Sequence, residues 1–272
     1  MRRIASQHRI VSAMGVALVT GGTSGIGAAF ARNLAARGYD LVLVARNHER
    51  LETMATELRS IGRTVEVLAA DLNDRGDVRR VAARLEDPDR PIDLLVNNAG
   101  FGVHATLIDP DISEHERGLE VMCRAVLVLS GAAARGMLPR GSGKIVNVSS
   151  TAGFITMGSY SAIKAWVTSF TEGLAVELRG TGITVTALCP GWVRTEFHDR
   201  AGIRSSSIPN SLWLDAEPLV SAAMRDIDRG KVISIPTVRY RLLIWLARHA
   251  PKSAIRSISS AMSSSRRKPV VE

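Results

Sequence analysis

The sequence predicts an α/β protein: a doubly wound parallel sheet of about seven strands, with helices on both faces, in a single domain. Two observations predict it. Short β-branched runs alternate with helix-length segments along most of the chain, the pattern of repeated strand–helix units. Most of those runs are near-continuously apolar, which suits parallel strands covered on both faces. The 272 residues suffice for one full core.

The elements follow in order. Residues 16–20 read as the first strand and 25–37 as a helix, with Gly38 behind it. Residues 41–45 form the second strand and 48–60 the second helix, closed by Gly62; glycine is favoured just past a helix end. Strands at 65–69, 92–97, 144–148, 183–189 and 232–235 alternate with helices at 74–86, 112–137, 160–179 and 216–228. The expected organisation is a basic extension over 1–14, a catalytic domain over 15–236 and a basic amphipathic extension over 237–272.

Composition narrows the class. Mean hydropathy is +0.09, so the bulk is neither disordered nor a membrane bundle. Two cysteines, Cys123 and Cys189, exclude a disulfide scaffold or a cysteine-built zinc module. The net charge of +9 sits at the ends: residues 231–272 carry nine Lys/Arg against one acid, and 1–14 carry three Arg. The near-neutral body lacks a phosphate-tracking stripe, which speaks against nucleic acid. We read no apolar run of the ~18 residues a spanning helix needs. Arg2 and Arg3 precede an apolar run at 16–19, but that run enters a glycine-rich turn rather than a cleavage site, so a cytoplasmic protein is expected. The six histidines lack metal-binding spacing, and no catalytic metal is expected.

Residues 20–27 read TGGTSGIG, between a strand and a helix. Gly21 permits a tight turn, Gly25 lets the backbone approach a pyrophosphate, and Gly27 lets the helix pack on the sheet. The amides and dipole of that helix then face the phosphates. This is the context of a Rossmann-like nucleotide site.

The spacing of those glycines resembles the short-chain dehydrogenase/reductase family. Further matches occur in order: Asn97-Asn98-Ala99-Gly100, Asn147-Val148-Ser149-Ser150, Tyr160-Ser161-Ala162-Ile163-Lys164 and Pro190-Gly191. The resemblance covers about 14–236 and implies a nicotinamide-dependent alcohol dehydrogenase or carbonyl reductase. It assigns cofactor contacts to Gly21, Thr23, Ser24, Gly25, Ile26 and Gly27 in the turn. It adds Asp71 and Leu72 near the adenine, Asn98, Ala99 and Gly100 near the ribose, and Pro190, Gly191, Val193 and Thr195 near the nicotinamide. Asp71 has a plainer reading as a helix N-cap. At the end of the second strand Arg46 offers a cationic fork suited to a 2′-phosphate, while Asp40 stands at the wrong end to select NAD. NADP(H) is therefore expected over NAD(H).

Tyr160 and Lys164 are four apart, on one helix face. Lys164 is expected to lower the pKa of Tyr160, which then trades protons with the substrate, and to hold the nicotinamide ribose. Ser150 polarises the substrate oxygen, with Ser149 as the fallback. Two departures from the family stand out. Met122 occupies the position of a usual asparagine, and Ser150 lies only ten residues before Tyr160, a shorter interval than usual. They motivate an alternative: a cofactor-binding sensor or scaffold with little turnover.

Residues 192–215 are expected to cover the substrate, with Trp192, Phe197, Ile203, Ile208, Leu212 and Trp213. Their apolar content favours a hydrophobic or lipid-like carbonyl or alcohol. In the tail, Leu243, Ala247, Ala250 and Ala254 follow helical spacing beside Arg241, Arg248, Lys252 and Arg256, a pattern open to peripheral membrane contact. Pro251 is read as the start of a second short helix. Apolar residues in 112–137 and 160–179 (Val126, Leu127, Val128, Leu129; Trp166, Val167, Phe170) suggest a subunit interface, and the family implies a homodimer or homotetramer.

Overall fold

The computed structural model describes residues 14–195 and 209–249. Seven strands build one parallel sheet: β1 (Val16–Thr20), β2 (Asp40–Ala45), β3 (Val65–Ala69), β4 (Leu94–Asn97), β5 (Gly143–Val148), β6 (Ile183–Leu188) and β9 (Ile233–Ser234). Their order is β3-β2-β1-β4-β5-β6-β9. Chain order reverses between β1 and β4, so a crevice opens beyond their carboxyl ends.

Helices α1 (Gly25–Ala36), α2 (His48–Ser60) and α7 (Ala216–Asp228) cover one face, where Phe30, Leu34, Leu51 and Met224 meet the sheet. Helices α3 (Arg75–Glu86), α5 (Ala125–Met137) and α6 (Gly158–Glu177) cover the other through Val78, Leu85, Leu129 and Ile163. The central strand β1 buries Ala17, Leu18 and Val19 at 0% exposure, as cover on both faces requires. Caps fix the helix starts. The side chain of Asn47 accepts from Arg50 N–H at 2.8 Å, and that of Asp74 accepts from Asp77 N–H at 2.8 Å. Gly38 and Gly62 take left-handed φ of +94° and +83° behind α1 and α2, as expected.

The structure departs from the sequence reading in three places. The helix expected over 112–137 divides into α4 (Ser113–Leu119), a wide π-helical turn (Glu120–Arg124) and α5. There the Ala125 N–H reaches back to Glu120 O, and Met122 turns into the core at 1% exposure. A bulge of this kind adds a residue without disturbing the apolar pattern, so periodicity does not reveal it. Second, the continuous helical stretch Ser113–Arg140 is long and apolar enough to cross a membrane by length and composition, although no such run was read in the sequence; half of its apolar window is buried inside the protein. Third, β7 (Val193–Arg194) and β8 (Leu214–Asp215) form a small parallel pair outside the main sheet.

The final described helix, α8 (Val238–His249), turns Tyr240 and Ile244 inward, whereas Leu243 is 45% exposed. The stripe expected through Leu243 and Ala247 is thus offset. Apolar side chains stand on several sides of this helix, and only its docking chooses the inner one. Phe197, Ile203, Ile208, Ala250, Pro251, Lys252, Ala254 and Arg256 lie outside the described residues.

Candidate active site

Helix α1 begins where the glycine turn ends. Its N-cap, Ser24, is extended and makes no side-chain capping bond, and the first turn carries no acid. The first-turn amides and the positive end of the helix dipole suit an anion. Gly21 and Gly25 adopt φ of +66° and +53°. A Cβ on Gly27 would fall 2.1 Å from Gly21 O, so the turn closes over the helix only with glycine there. This is the packing role read from the sequence.

The turn opens onto a cleft of about 700 Å³ at the sheet's carboxyl edge. Every sequence-predicted site residue except Gly27, which packs beneath the turn, lines that cleft: Thr23, Ser24 and Ile26 with Gly21 and Gly25, then Arg46, Asp71, Leu72, Asn98, Ala99 and Gly100, then Ser150, Tyr160, Lys164, Pro190, Gly191, Val193 and Thr195. Thr195 faces the turn, its Cγ2 3.0 Å from where a Gly25 Cβ would sit.

At the far end Arg46 follows β2, and Arg50, one turn into α2, also lines the cleft. The sequence reading missed Arg50; its signal is its place four residues after Arg46, once Asn47 caps the helix between them. Asp40 is spent elsewhere, accepting from Thr64 N–H at 2.8 Å. Asp71 is not the cap of α3, since Asp74 takes that role; its carboxylate instead accepts from Asn73 N–H at 3.0 Å.

The strand ends are locked by polar contacts. Asn98 donates its side-chain amide to Thr20 O at 3.0 Å, and the Asn98 and Ala99 backbone amides donate to Thr20 Oγ1 at 2.9 and 3.1 Å. Asn98 thus ties β4 to β1 across the switch point. Beneath it runs a buried network that the sequence reading left unassigned. Asn97 donates to Asn147 Oδ1 at 2.9 Å and to Ser130 Oγ at 3.0 Å, and Asn147 donates to Thr171 Oγ1 at 3.1 Å.

Alternation at the end of β5 separates the two serines. Ser149 points its hydroxyl into the core, donating to Lys164 O at 2.7 Å, while Ser150 lines the cleft, accepts from Ala152 N–H at 3.1 Å and stands close enough to the Tyr160 phenol to draw its pKa down. The short interval between Ser150 and Tyr160 does not part them. Thr151–Phe154 coils into a 3-10 turn that Thr151 N–H anchors to Pro190 O at 2.9 Å. Gly153 then lies against the α6 backbone so closely that a Cβ would come 2.8 Å from Lys164 C. The glycine removes the bulk that a longer loop would have had to skirt.

Lys164 is buried, donates to Val148 O at 2.9 Å, and holds its Nζ 5.6 Å from the centroid of the Tyr160 ring. Burial lowers its pKa to about 8. Burial also raises the Tyr160 phenol above its ordinary value, and the neighbouring Ser150 hydroxyl only partly offsets this. The expected lowering of Tyr160 by Lys164 is therefore not the balance struck here. The ammonium is itself desolvated and gives its bond to a carbonyl rather than to the phenol. Met122 packs under the cleft floor, its Sδ 3.1 Å from where a Gly100 Cβ would be.

Together these features define a cleft with a glycine turn at its mouth and a serine hydroxyl, a phenol and a buried lysine at its inner end. The residues fit a nicotinamide dinucleotide: glycines without room for side chains, an uncapped helix start and cations at the far end. The chain matches the short chain dehydrogenase family model over residues 15–204 and belongs to that family. It is 40% identical over 190 residues to a provisionally named ketoacyl reductase of Streptomyces coelicolor, covering 66% of this chain and 71% of the relative. It is 42% identical over 195 residues to a provisionally named monensin polyketide synthase ketoacyl reductase of Streptomyces virginiae, covering 68% and 73%. Among solved structures it resembles a short-chain dehydrogenase from Sphingobium yanoikuyae in complex with NADPH, with TM-score 0.79, 34% identity, and 95% and 98% of the two chains covered. It also resembles a bulky-bulky ketone specific alcohol dehydrogenase from Comamonas testosteroni, with TM-score 0.74, 30% identity, and 95% and 97% covered. The protein is an oxidoreductase that interconverts carbonyl and alcohol groups with a nicotinamide cofactor.

Proposed function

We propose that the chain is an NADP(H)-dependent reductase of a hydrophobic, bulky ketone or aldehyde. One observation carries this reading: Ser150, Tyr160 and Lys164 meet at the inner end of the cleft, with the Lys164 Nζ 5.6 Å from the centroid of the phenol ring. It also speaks against the alternative of a scaffold without turnover, because the shortened loop, which with Met122 motivates that alternative, leaves the three side chains together.

A nicotinamide dinucleotide held by the glycine turn and the cleft would supply the hydride. Tyr160 donates the phenolic proton to the substrate oxygen, and Ser150 holds that oxygen by a hydrogen bond. Lys164 places positive charge beside the phenolate that proton transfer leaves. A phenol held above its ordinary pKa keeps its proton until a developing alkoxide takes it, which suits the reductive direction. In the oxidative direction Tyr160 accepts the proton.

Arg46 and Arg50 at the far end of the cleft support NADP(H) over NAD(H), since two guanidinium groups suit a 2′-phosphate and the acid of β2 is at its other end. The apolar character of Trp192 and the likeness to a bulky-bulky ketone specific alcohol dehydrogenase support a bulky substrate. Leu127 and Trp166 are 49% and 37% exposed on α5 and α6, and Trp166 stacks on Phe170 at 5.0 Å; this face supports a homo-oligomer. The outer side of α8 exposes Leu242, Trp245 and Leu246 between arginines 239, 241 and 248, which supports peripheral contact with an anionic membrane. Anionic vesicles should pellet the full chain and neutral vesicles should not; equal pelleting removes this contact.

The test of the main reading is NADPH consumption with a series of bulky aryl and aliphatic ketones, repeated with NADH and with Tyr160→Phe. Turnover that needs NADPH and is lost in the variant is expected. No turnover with any carbonyl, or turnover that survives Tyr160→Phe, overturns it.

A further inference from the structure

We infer that Tyr240 is a positioning residue for substrate selection: its hydroxyl clasps the two ends of the excursion that follows Gly191 and so sets the Trp192 wall of the cleft. Tyr240 comes from α8, beyond the last strand of the sheet. It is 6% exposed. Its hydroxyl accepts from Trp192 N–H at 3.0 Å and donates to Leu212 O at 2.7 Å, bridging residues 48 and 28 positions upstream. One hydroxyl thereby uses both its donor and its acceptor capacity on two main-chain groups that belong to opposite ends of one segment. Burial holds the phenol above its ordinary pKa, so it stays a donor across the physiological range.

The neighbouring geometry is built around this ring. A Cβ on Gly191 would lie 1.9 Å from Tyr240 Cζ and 2.2 Å from Cε2, so the ring occupies the space of a side chain at Gly191. Leu214 N–H then donates to Trp192 O at 2.8 Å, and β7 pairs with β8 through Val193 and Leu214. Trp192 and Trp213 pack at 6.2 Å with their rings tilted by 58°, and Arg194 stands over Trp213 at 5.6 Å. Arg239, beside Tyr240, donates to Ser211 O. Trp192 lines the cleft. The orientation of a cleft-lining aromatic is therefore fixed from outside the sheet. The strands that carry the wall, β7 and β8, are two residues each.

This inference rests on the reductase reading for its substrate arm and on geometry alone for its structural arm. In Tyr240→Phe the ring stays on Gly191 and both hydrogen bonds go. With NADPH saturating, KM for a diaryl ketone should rise about tenfold, the loss of about 1.4 kcal/mol of binding, while KM for a small ketone and the affinity for NADPH stay within twofold. Trp213→Phe, which leaves the hydroxyl in place, should shift the bulky-to-small ratio in the same direction, and it serves if Tyr240→Phe does not fold. Amide hydrogen exchange in Tyr240→Phe should accelerate in peptides covering 190–195 and 210–214 and not in β1 or β5. Equal losses for both ketones and for NADPH, unchanged KM for both, or unchanged exchange in those peptides overturns the clasp. A wild-type chain that reduces no ketone refutes the reductase reading instead, and the exchange measurement then decides the clasp by itself.

Discussion

The Ser150 hydroxyl stands beside the Tyr160 phenol across a loop of nine residues, close enough to draw the phenol's pKa down. Two groups suited to one substrate oxygen thus meet at the inner end of the cleft. A 3-10 turn and a glycine laid on the α6 backbone achieve this, so the shorter loop reshapes the wall of the site without separating its chemistry.

Substitutions at this pair test the assignment. Tyr160→Phe should lower kcat about 10²- to 10⁴-fold, the range for removal of a proton-transfer group. Ser150→Ala should lower it about 10²- to 10³-fold, as for a lost donor to a developing charge. The double variant should be little worse than Tyr160→Phe alone, because the two act as a unit. Steady-state kinetics of the three variants, with NADPH binding measured by fluorescence, would show independent losses if the pair were not coupled.

At the far end of the cleft, Arg46→Ala should raise KM for NADPH about tenfold or more, since a hydrogen bond to a charged group is worth roughly 1.5–3 kcal/mol. KM for NADH should stay nearly unchanged, because NADH lacks the 2′-phosphate. Arg50→Ala should act in the same sense. Measurement of both cofactors on both variants checks this, and equal loss for the two cofactors would assign the arginines to general cleft electrostatics.

Lys164 gives a pH signature. Its folded pKa, about 8, lies below the ordinary lysine value because it is buried. Raising the pH through about 8 removes the ammonium, so kcat/KM for NADPH, which reports the free enzyme, should fall on that limb. The stability effect has the opposite sign. Above about pH 8 the unfolded lysine keeps a proton that the folded one has lost, so stability rises with pH until the unfolded group titrates. Thermal midpoints from pH 7 to 10 should show this rise in the wild type and lack it in Lys164→Met.

The buried amides under the strand ends carry stability rather than chemistry. Asn147 is 0% exposed and serves Asn97, Ser130 and Thr171 at once. Asn147→Ala removes three hydrogen bonds, while Asn97 and Ser130 keep each other and Thr171 keeps Val167 O; at about 0.5–1.5 kcal/mol for each bond lost, the expected cost is about 2–4 kcal/mol. Urea denaturation should show a midpoint shift of that order, with the spectrum of the folded state retained.

Much of this was open to reading along the chain. The alternation of apolar runs with helical segments reproduces the sheet, because a parallel strand covered on both faces must be apolar throughout. The glycine turn and the Tyr160/Lys164 spacing are local patterns whose geometry follows from helix and turn rules. Arg50 was missed because its approach to the cleft depends on the cap at Asn47, and the bulge at Glu120–Arg124 because periodicity does not register one added residue. The balance of pKa values was misjudged because spacing fixes which groups are close and not how much water each has lost.

The sequence by itself determined the sheet, the glycine turn and the placing of Tyr160 and Lys164 on one helix face, since each depends on residues within a few positions of one another. The tertiary structure alone decided that Lys164 is desolvated and that Tyr240 holds Trp192 and Leu212. Those outcomes depend on which distant surfaces exclude water and which backbone groups they leave to be paired, and no local pattern encodes either.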